Sequence, residues 1–422
     1  MRAFGRRIAR LSQPAASARR VLPVVFVTLM LDMVGLGILF PIIPILFTDA
    51  SSPSFMLAGY SPGMQFFLAG LAIALFGLLQ FLAAPLLGEL SDSYGRKRLL
   101  AIGVNVLALS QLLFGLAVVS ASLPLLFFSR AVGGLAGANF SIAQAAIADV
   151  SAPEDRAKNF GLIGAAFGLG FIIGPVLGGW ILHLTGNAAA PFWLAAALGA
   201  LNFASVMLLM PETRAVGGAP PRLHPLRGLQ NIAAAFAERS TRRYYAASLL
   251  FQSGFSFFTS FIGILLVASF GFAEVSIGSF FGIVGISELV TQTVILRWLT
   301  RRYSERQILK VSLAMLALAV LCYPFFPKLA LIAYCAVPLV GVPSGLTRAN
   351  LGALISRSAP AGRQGVALGI NGSLIALAQG VSPFLAGLGS SALGVATPFV
   401  IGSVLVFSAW GVLFLKPRPA AH

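Results

Sequence analysis

Twelve long apolar runs, separated by short polar gaps, limit the fold of this sequence more than any other feature. They fall near 21–47, 65–87, 99–120, 123–148, 159–183 and 190–210, and again near 243–270, 276–299, 308–326, 329–354, 364–388 and 392–415. About 20 apolar residues are needed for a helix to cross the hydrocarbon of a bilayer, and the runs are of that order. A membrane β-barrel would show short segments of alternating polarity, whereas these runs are continuous. Charged residues make up 10% of the chain, against roughly 25% in soluble domains. The expectation is an all-α membrane protein with twelve transmembrane helices in two six-helix halves.

The net charge of +17 would point to nucleic acid in a soluble protein. Here topology explains it. With the N-terminus inside, 27 of the 29 basic residues fall in inner gaps, at their edges within the flanking runs, or in the tails, as the positive-inside rule requires. The exceptions are Arg130, the only basic residue well inside a run on this reading, and Lys328. Both termini are therefore expected in the cytoplasm, and the membrane is expected to be a bacterial inner membrane. Residues 1–20 read as a basic cytoplasmic flank, 21–210 and 243–415 as the two halves, 211–242 as a cytoplasmic linker, and 416–422 as a tail. Cys322 and Cys335 with His183, His224 and His422 form no ligand spacing. No metal or cofactor is expected. The bilayer is an expected partner, with the chain acting as a monomer.

The halves resemble each other. Ser151-Ala152-Pro153 with Arg156 recurs as Ser358-Ala359-Pro360 with Arg363; Gly174-Pro175 is echoed by Ser382-Pro383; and Tyr94-Gly95-Arg96-Lys97 by Tyr303-Ser304-Glu305-Arg306. All three matches lie at offsets of 207 to 209. Duplicated halves place a binding site between them, near the bilayer midplane, and let the halves rock.

Several residues are conspicuous within this frame. The loop after the second run reads Gly88-Glu89-Leu90-Ser91-Asp92-Ser93-Tyr94-Gly95-Arg96-Lys97-Arg98. Gly95 suits a tight turn. Asp92 sits at a helix C-terminus, where the macrodipole disfavours an anion; a helix N-terminus in the other half would suit it as a partner. Arg96 is placed to pair with Asp149, and the cluster would act as a breakable latch. In the fifth run Gly170, Gly174 and Gly178 share one face, with Pro175 and Gly179 beside them, a pattern that permits close helix approach. Asp32, Arg130 and Glu288 are ionisable groups inside apolar runs, where a charge costs roughly 2.5–3.5 kcal/mol on insertion scales. Asp32 and Glu288 are candidate proton carriers, and Glu288 is alternatively a receiver for a cationic compound. Phe251, Phe255 and Phe258 form a stripe beside Gln252 that suits either packing or contact with an apolar ligand.

The loop at Gly88, Leu90, Ser91, Asp92, Gly95, Arg96 and Lys97 resembles the signature of the major facilitator superfamily, and Ser93 departs from it where a basic residue is usual. The string from Gly170 to Gly179 is similar to that superfamily's antiporter motif. The stretch Leu31-Asp32-Met33-Val34-Gly35-Leu36-Gly37 resembles the first span of its drug:proton antiporters, tetracycline exporters above all. Arg130 followed by Gly134 and Gly137 is similar to the pattern linked there to proton coupling. The resemblance implies proton-driven export of small apolar or amphipathic compounds by alternating access. An importer or facilitator of a small metabolite on the same fold is the first alternative. A non-transporting receptor or scaffold is the second, and the absence of long hydrophilic segments disfavours it. No phosphate-binding Gly-x-x-x-x-Gly-Lys-Ser/Thr loop is present, and no enzymatic activity is expected.

Overall fold

The structure is a computed structural model. It describes residues 2–414 apart from 138, 153–154, 215–229, 231, 234–235, 237–239 and 360–363, and the side chains of 2–17, 156–158 and 364–365 are also undescribed. Most of the expected linker, the tail, His224, His422, Pro153, Pro360 and Arg363 therefore lie outside the described residues.

Among the described residues there is no strand, and twelve helices are long and apolar enough to cross a membrane. Spans one to six are Ala18–Thr48, Pro62–Tyr94, Arg96–Val119, Leu123–Val150, Asn159–Thr185 and Ala190–Leu209. Spans seven to twelve are Arg242–Phe270, Glu274–Leu299, Glu305–Phe325, Ala330–Ser358, Val366–Leu393 and Thr397–Phe414. The ends follow local chemistry. Span five stops at Gly186, which takes a left-handed φ of 62° that a side chain would resist. Span nine begins with a reciprocal capping box between Ser304 and Gln307.

Contacts divide the chain into two units. One comprises Met1–Ile42 with Leu79–Arg227; the other comprises Ile43–Leu78 with Gly228–His422. Each unit repeats the same internal pairings. In the first, span one packs on spans four, five and six, and span three on spans four and six. In the second, span seven packs on spans ten, eleven and twelve, and span nine on spans ten and twelve. This correspondence is what a duplicated six-helix half requires.

The first part of span two, expected in the first half, packs with the second unit. Small residues cause this. A Cβ on Gly77 would lie 2.8 Å from the Gly380 Cα of span eleven, and one on Gly70 would lie 2.7 Å from the Gly387 Cα.

Three helices depart from regularity. The helix of span one ends at Gly37 and resumes at Leu39, just before Pro41 and Pro44. In span four the first helix ends at Ala136, with Gly137 as its cap. Span eight widens into a π-helical turn over Thr291–Ile295, a feature found frequently at functional sites.

Candidate functional site

In the first unit, span five meets span one without intervening side chains. A Cβ on Gly170 would lie 2.5 Å from Met33 Cβ, one on Gly174 2.6 Å from the Val34 carbonyl oxygen, and one on Gly178 2.9 Å from the Ile38 carbonyl oxygen. From the other side, a Cβ on Gly37 would lie 2.7 Å from the Pro175 ring. Gly179 is buried next to this seam. The glycine face thus grips the turns of span one that follow Asp32.

Asp32 lies 14 residues into span one, about 21 Å along the helix axis at 1.5 Å per residue, so it sits near mid-membrane. Its Oδ2 accepts a hydrogen bond of 3.0 Å from Asn139 Nδ2 in the later part of span four. On another side Asp32, Gln111 and Asn202 line a small cavity of about 20 Å³ together with Leu31, Gly35 and Ala108, room for a single water. Thr28 donates to Asn202 Oδ1 at 3.0 Å, which fixes that amide at the cavity wall. Arg130 is buried in the earlier segment of span four, nine residues before Asn139.

The loop after span two builds a second cluster. Gly95 has a φ of 96°, so the turn into span three depends on its missing side chain. The turn delivers Arg96, a buried guanidinium, to Asp92 and to Asp149, the latter at 3.2 Å. Arg96 Nη1 also donates to Ser91 Oγ and, at 3.5 Å, to the Gly88 carbonyl. Asp92 is paired with Arg96 and, at 2.8 Å, with Arg214; both partners belong to the first unit. Glu212 accepts from the backbone N–H groups of Arg96 at 2.8 Å and Lys97 at 3.2 Å, capping the N-terminus of span three where a carboxylate is favoured. Thr213 donates to Asp149 at 3.3 Å. The start of the linker is thereby tied into the cluster.

In the second unit, Glu288 of span eight accepts from Ser344 of span ten at 2.9 Å and faces the Arg348 guanidinium at 3.5 Å. Small residues set this approach. A Cβ on Gly341 would lie 2.7 Å from Ser287 Cβ, and one on Gly345 3.2 Å from the Thr291 methyl. Arg348 also stacks over the Phe255 ring of span seven, with 5.5 Å from Cζ to the ring centroid. Arg348 corrects the expectation that Arg130 is the only deep cation. It lies ten residues before the end of span ten, about 15 Å along the axis. The stripe of Phe251, Phe255 and Phe258 is stacked at 6.1 and 6.3 Å and is buried, as is Gln252. Phe258 packs against Tyr323 and Phe399 inside this unit.

The model of the Major Facilitator Superfamily matches residues 25–383. The chain is 30% identical over 404 residues to the class G tetracycline resistance protein of Vibrio anguillarum, covering 89% of this chain and 92% of that one. It is 29% identical over 375 residues to the class C tetracycline resistance protein of Escherichia coli, covering 85% and 86%. Among solved structures, the human organic anion transporter MFSD10 superposes with a TM-score of 0.69 at 24% identity, covering 94% of this chain and 99% of that one, a likeness of fold.

Proposed function

The chain belongs to the major facilitator superfamily, and from that premise we propose that it is a proton-coupled exporter of small apolar or amphipathic compounds. It is an integral membrane transporter and not an enzyme, and the family acts on small-molecule substrates.

One observation carries the antiport reading. The Gly170–Gly179 motif packs onto the turns of span one that follow Asp32. A shift of span five against span one therefore moves the environment of a mid-membrane carboxylate. A charge at that depth is tolerated only when it faces water, a partner or a proton. Asn139 supplies a partner and the adjoining cavity has room for water.

In this mechanism Asp32 and Glu288 are the candidate proton carriers, one in each half, and Arg130 biases or relays the change. Protons move inward, each gaining roughly 2.3 kcal/mol per 100 mV of potential, and the compound leaves. The Asp92–Arg96–Asp149 cluster with Gly88, Gly95 and Lys97 acts as the cytoplasmic latch. The halves are 21–210 and 243–415, both termini are cytoplasmic, the membrane is the bacterial inner membrane, and the working unit is a monomer. Tetracyclines are the first compounds to try, because resistance to them names the relatives above. The test is a drug-susceptibility panel in an efflux-deleted bacterium expressing the protein. Raised tolerance that collapses when the proton gradient is dissipated supports the reading. Unchanged tolerance to every compound, with the protein present in the membrane, contradicts it.

A further inference from the structure

Arg348 is the most unusual group in the second unit. Its side chain is 41% exposed, yet it sits at a depth where an exposed cation would otherwise meet hydrocarbon. A charge there faces the bundle interior or a water-filled space and pairs with an opposite charge. Its neighbours along span ten, from Pro343 to Thr347, are all buried. The guanidinium is held by the Phe255 ring beneath it and by one long contact to Glu288 Oε1 at 3.5 Å. A saturated arginine–carboxylate pair makes two parallel bonds of about 2.7–2.9 Å. Arginine offers five N–H donors, so among the described residues most of this fork is unspent.

The pair is also unnecessary for packing. Glu288 and Ser344 have counterparts in the first half at Gln80 and Gly137, offsets of 208 and 207, in line with the repeats in the sequence. There Gln80 Nε2 donates to the Gly137 carbonyl oxygen at 2.6 Å. The same contact between spans two and four is thus made by a neutral amide. Ser141 stands where the second half has Arg348. The charges of the second half are an addition to a helix contact that works without them.

We propose that Arg348 is the seat for an anionic group on the transported compound, and that Glu288 is the internal counter-ion the compound displaces. The proposal rests on the transport reading above and narrows its substrate class to amphipathic anions, carboxylates being the simplest. A planar carboxylate matches the guanidinium fork, while Phe255 holds that fork in place. When the compound takes Arg348, Glu288 keeps Ser344: the hydroxyl donates to a carboxylate and accepts from a carboxylic acid, so neither state leaves Glu288 stranded. Glu288 then answers the compound, and the proton that drives export falls to Asp32 in the first half.

The test uses the purified full-length protein and three probes of one shape: 1-naphthaleneacetate, the uncharged 1-naphthaleneacetamide, and cationic 1-naphthylmethylammonium. Calorimetry is expected to give wild-type binding of the acetate at least tenfold tighter than the amide. Arg348→Gln is expected to erase that preference. Glu288→Gln is expected to tighten acetate binding severalfold while leaving the amide unchanged, because the competitor for the fork has gone. The proposal is overturned by a wild type without acetate preference, by a preference that survives Arg348→Gln, or by Glu288→Gln weakening acetate and amide alike, the mark of a purely structural pair. Unliganded melting and gel filtration monitor folding. Should Arg348→Gln fail to fold, Glu288→Gln alone decides by the direction of its effect. Proton-driven export without acetate preference overturns this proposal and leaves the transport reading standing. Acetate preference without proton-driven movement does the reverse.

Discussion

Gly174 of span five touches the backbone of span one at Val34: a Cβ there would lie 2.6 Å from the Val34 carbonyl oxygen and 2.9 Å from the Gly37 Cα. Backbone cannot yield as a flexible side chain can, so any larger residue separates the helices. Overpacking of this kind costs roughly 1–3 kcal/mol in well-packed cores. Gly174→Leu and Gly178→Leu are therefore expected to abolish export, whereas Gly164→Ala, at a position with open space around it, is expected to be tolerated. Resistance in cells carrying each variant is the measurement. Full resistance with Gly174→Leu would mean that this seam is not needed.

The loop after span two makes a prediction with two parts. Asp92 is half-exposed and shares its charge between Arg96 and Arg214. Asp92→Asn keeps the shape, loses the charge, and is expected to slow transport several-fold with little change in expression. Arg96 is buried against Asp149. Arg96→Ala strands that carboxylate and is expected to cost on the order of 3 kcal/mol, visible as a lower melting temperature. Transport assays and thermal denaturation separate the two. Wild-type turnover in Asp92→Asn would leave the loop as a topological anchor alone.

The linker's first residues give a prediction about stability and transport together. Glu212 caps the first turn of span three and Thr213 donates to Asp149. Losing such a cap typically costs about 1 kcal/mol. Glu212→Ala is expected to lower the melting temperature by a few degrees and to slow transport, as the linker comes away from the cluster. An unchanged melting temperature would show that the cap contributes nothing.

Orientation is testable by cysteine labelling. With both termini inside, Ser17→Cys is expected to resist a membrane-impermeant maleimide in intact cells, and Ser51→Cys, in the exposed loop after span one, to react. Labelling of position 17 from outside would invert the topology.

The sequence made the twelve spans legible because hydropathy alone sets them, with ends shifted by at most seven residues from the apolar runs. The Arg96–Asp149 pair was legible because a cation and an anion flank helix ends that the family pattern brings together. Asp32 and Glu288 stand out as lone carboxylates in apolar runs. Arg348 did not, because it lies close enough to the inner gap after span ten for the charge-bias count to absorb it. Its place beside Glu288 depends on Gly341 and Gly345 meeting Ser287 and Thr291, a helix register that one-dimensional periodicity does not contain. Gln111 and Asn202 were invisible for a similar reason. They are single polar residues on separate spans, and only packing brings them to Asp32.

The central claim is that a proton taken up by a mid-membrane acid powers export. The most direct measurement places the purified protein in vesicles with an imposed pH gradient and follows both a compound identified by the susceptibility panel and the protons that exchange with it. Wild type is expected to accumulate the compound against its gradient while protons move the other way. Asp32→Asn is expected to keep binding and downhill exchange but to lose accumulation. If the double variant Asp32→Asn with Glu288→Gln still drives the compound uphill with the pH gradient, the proton travels by another route and the account is contradicted.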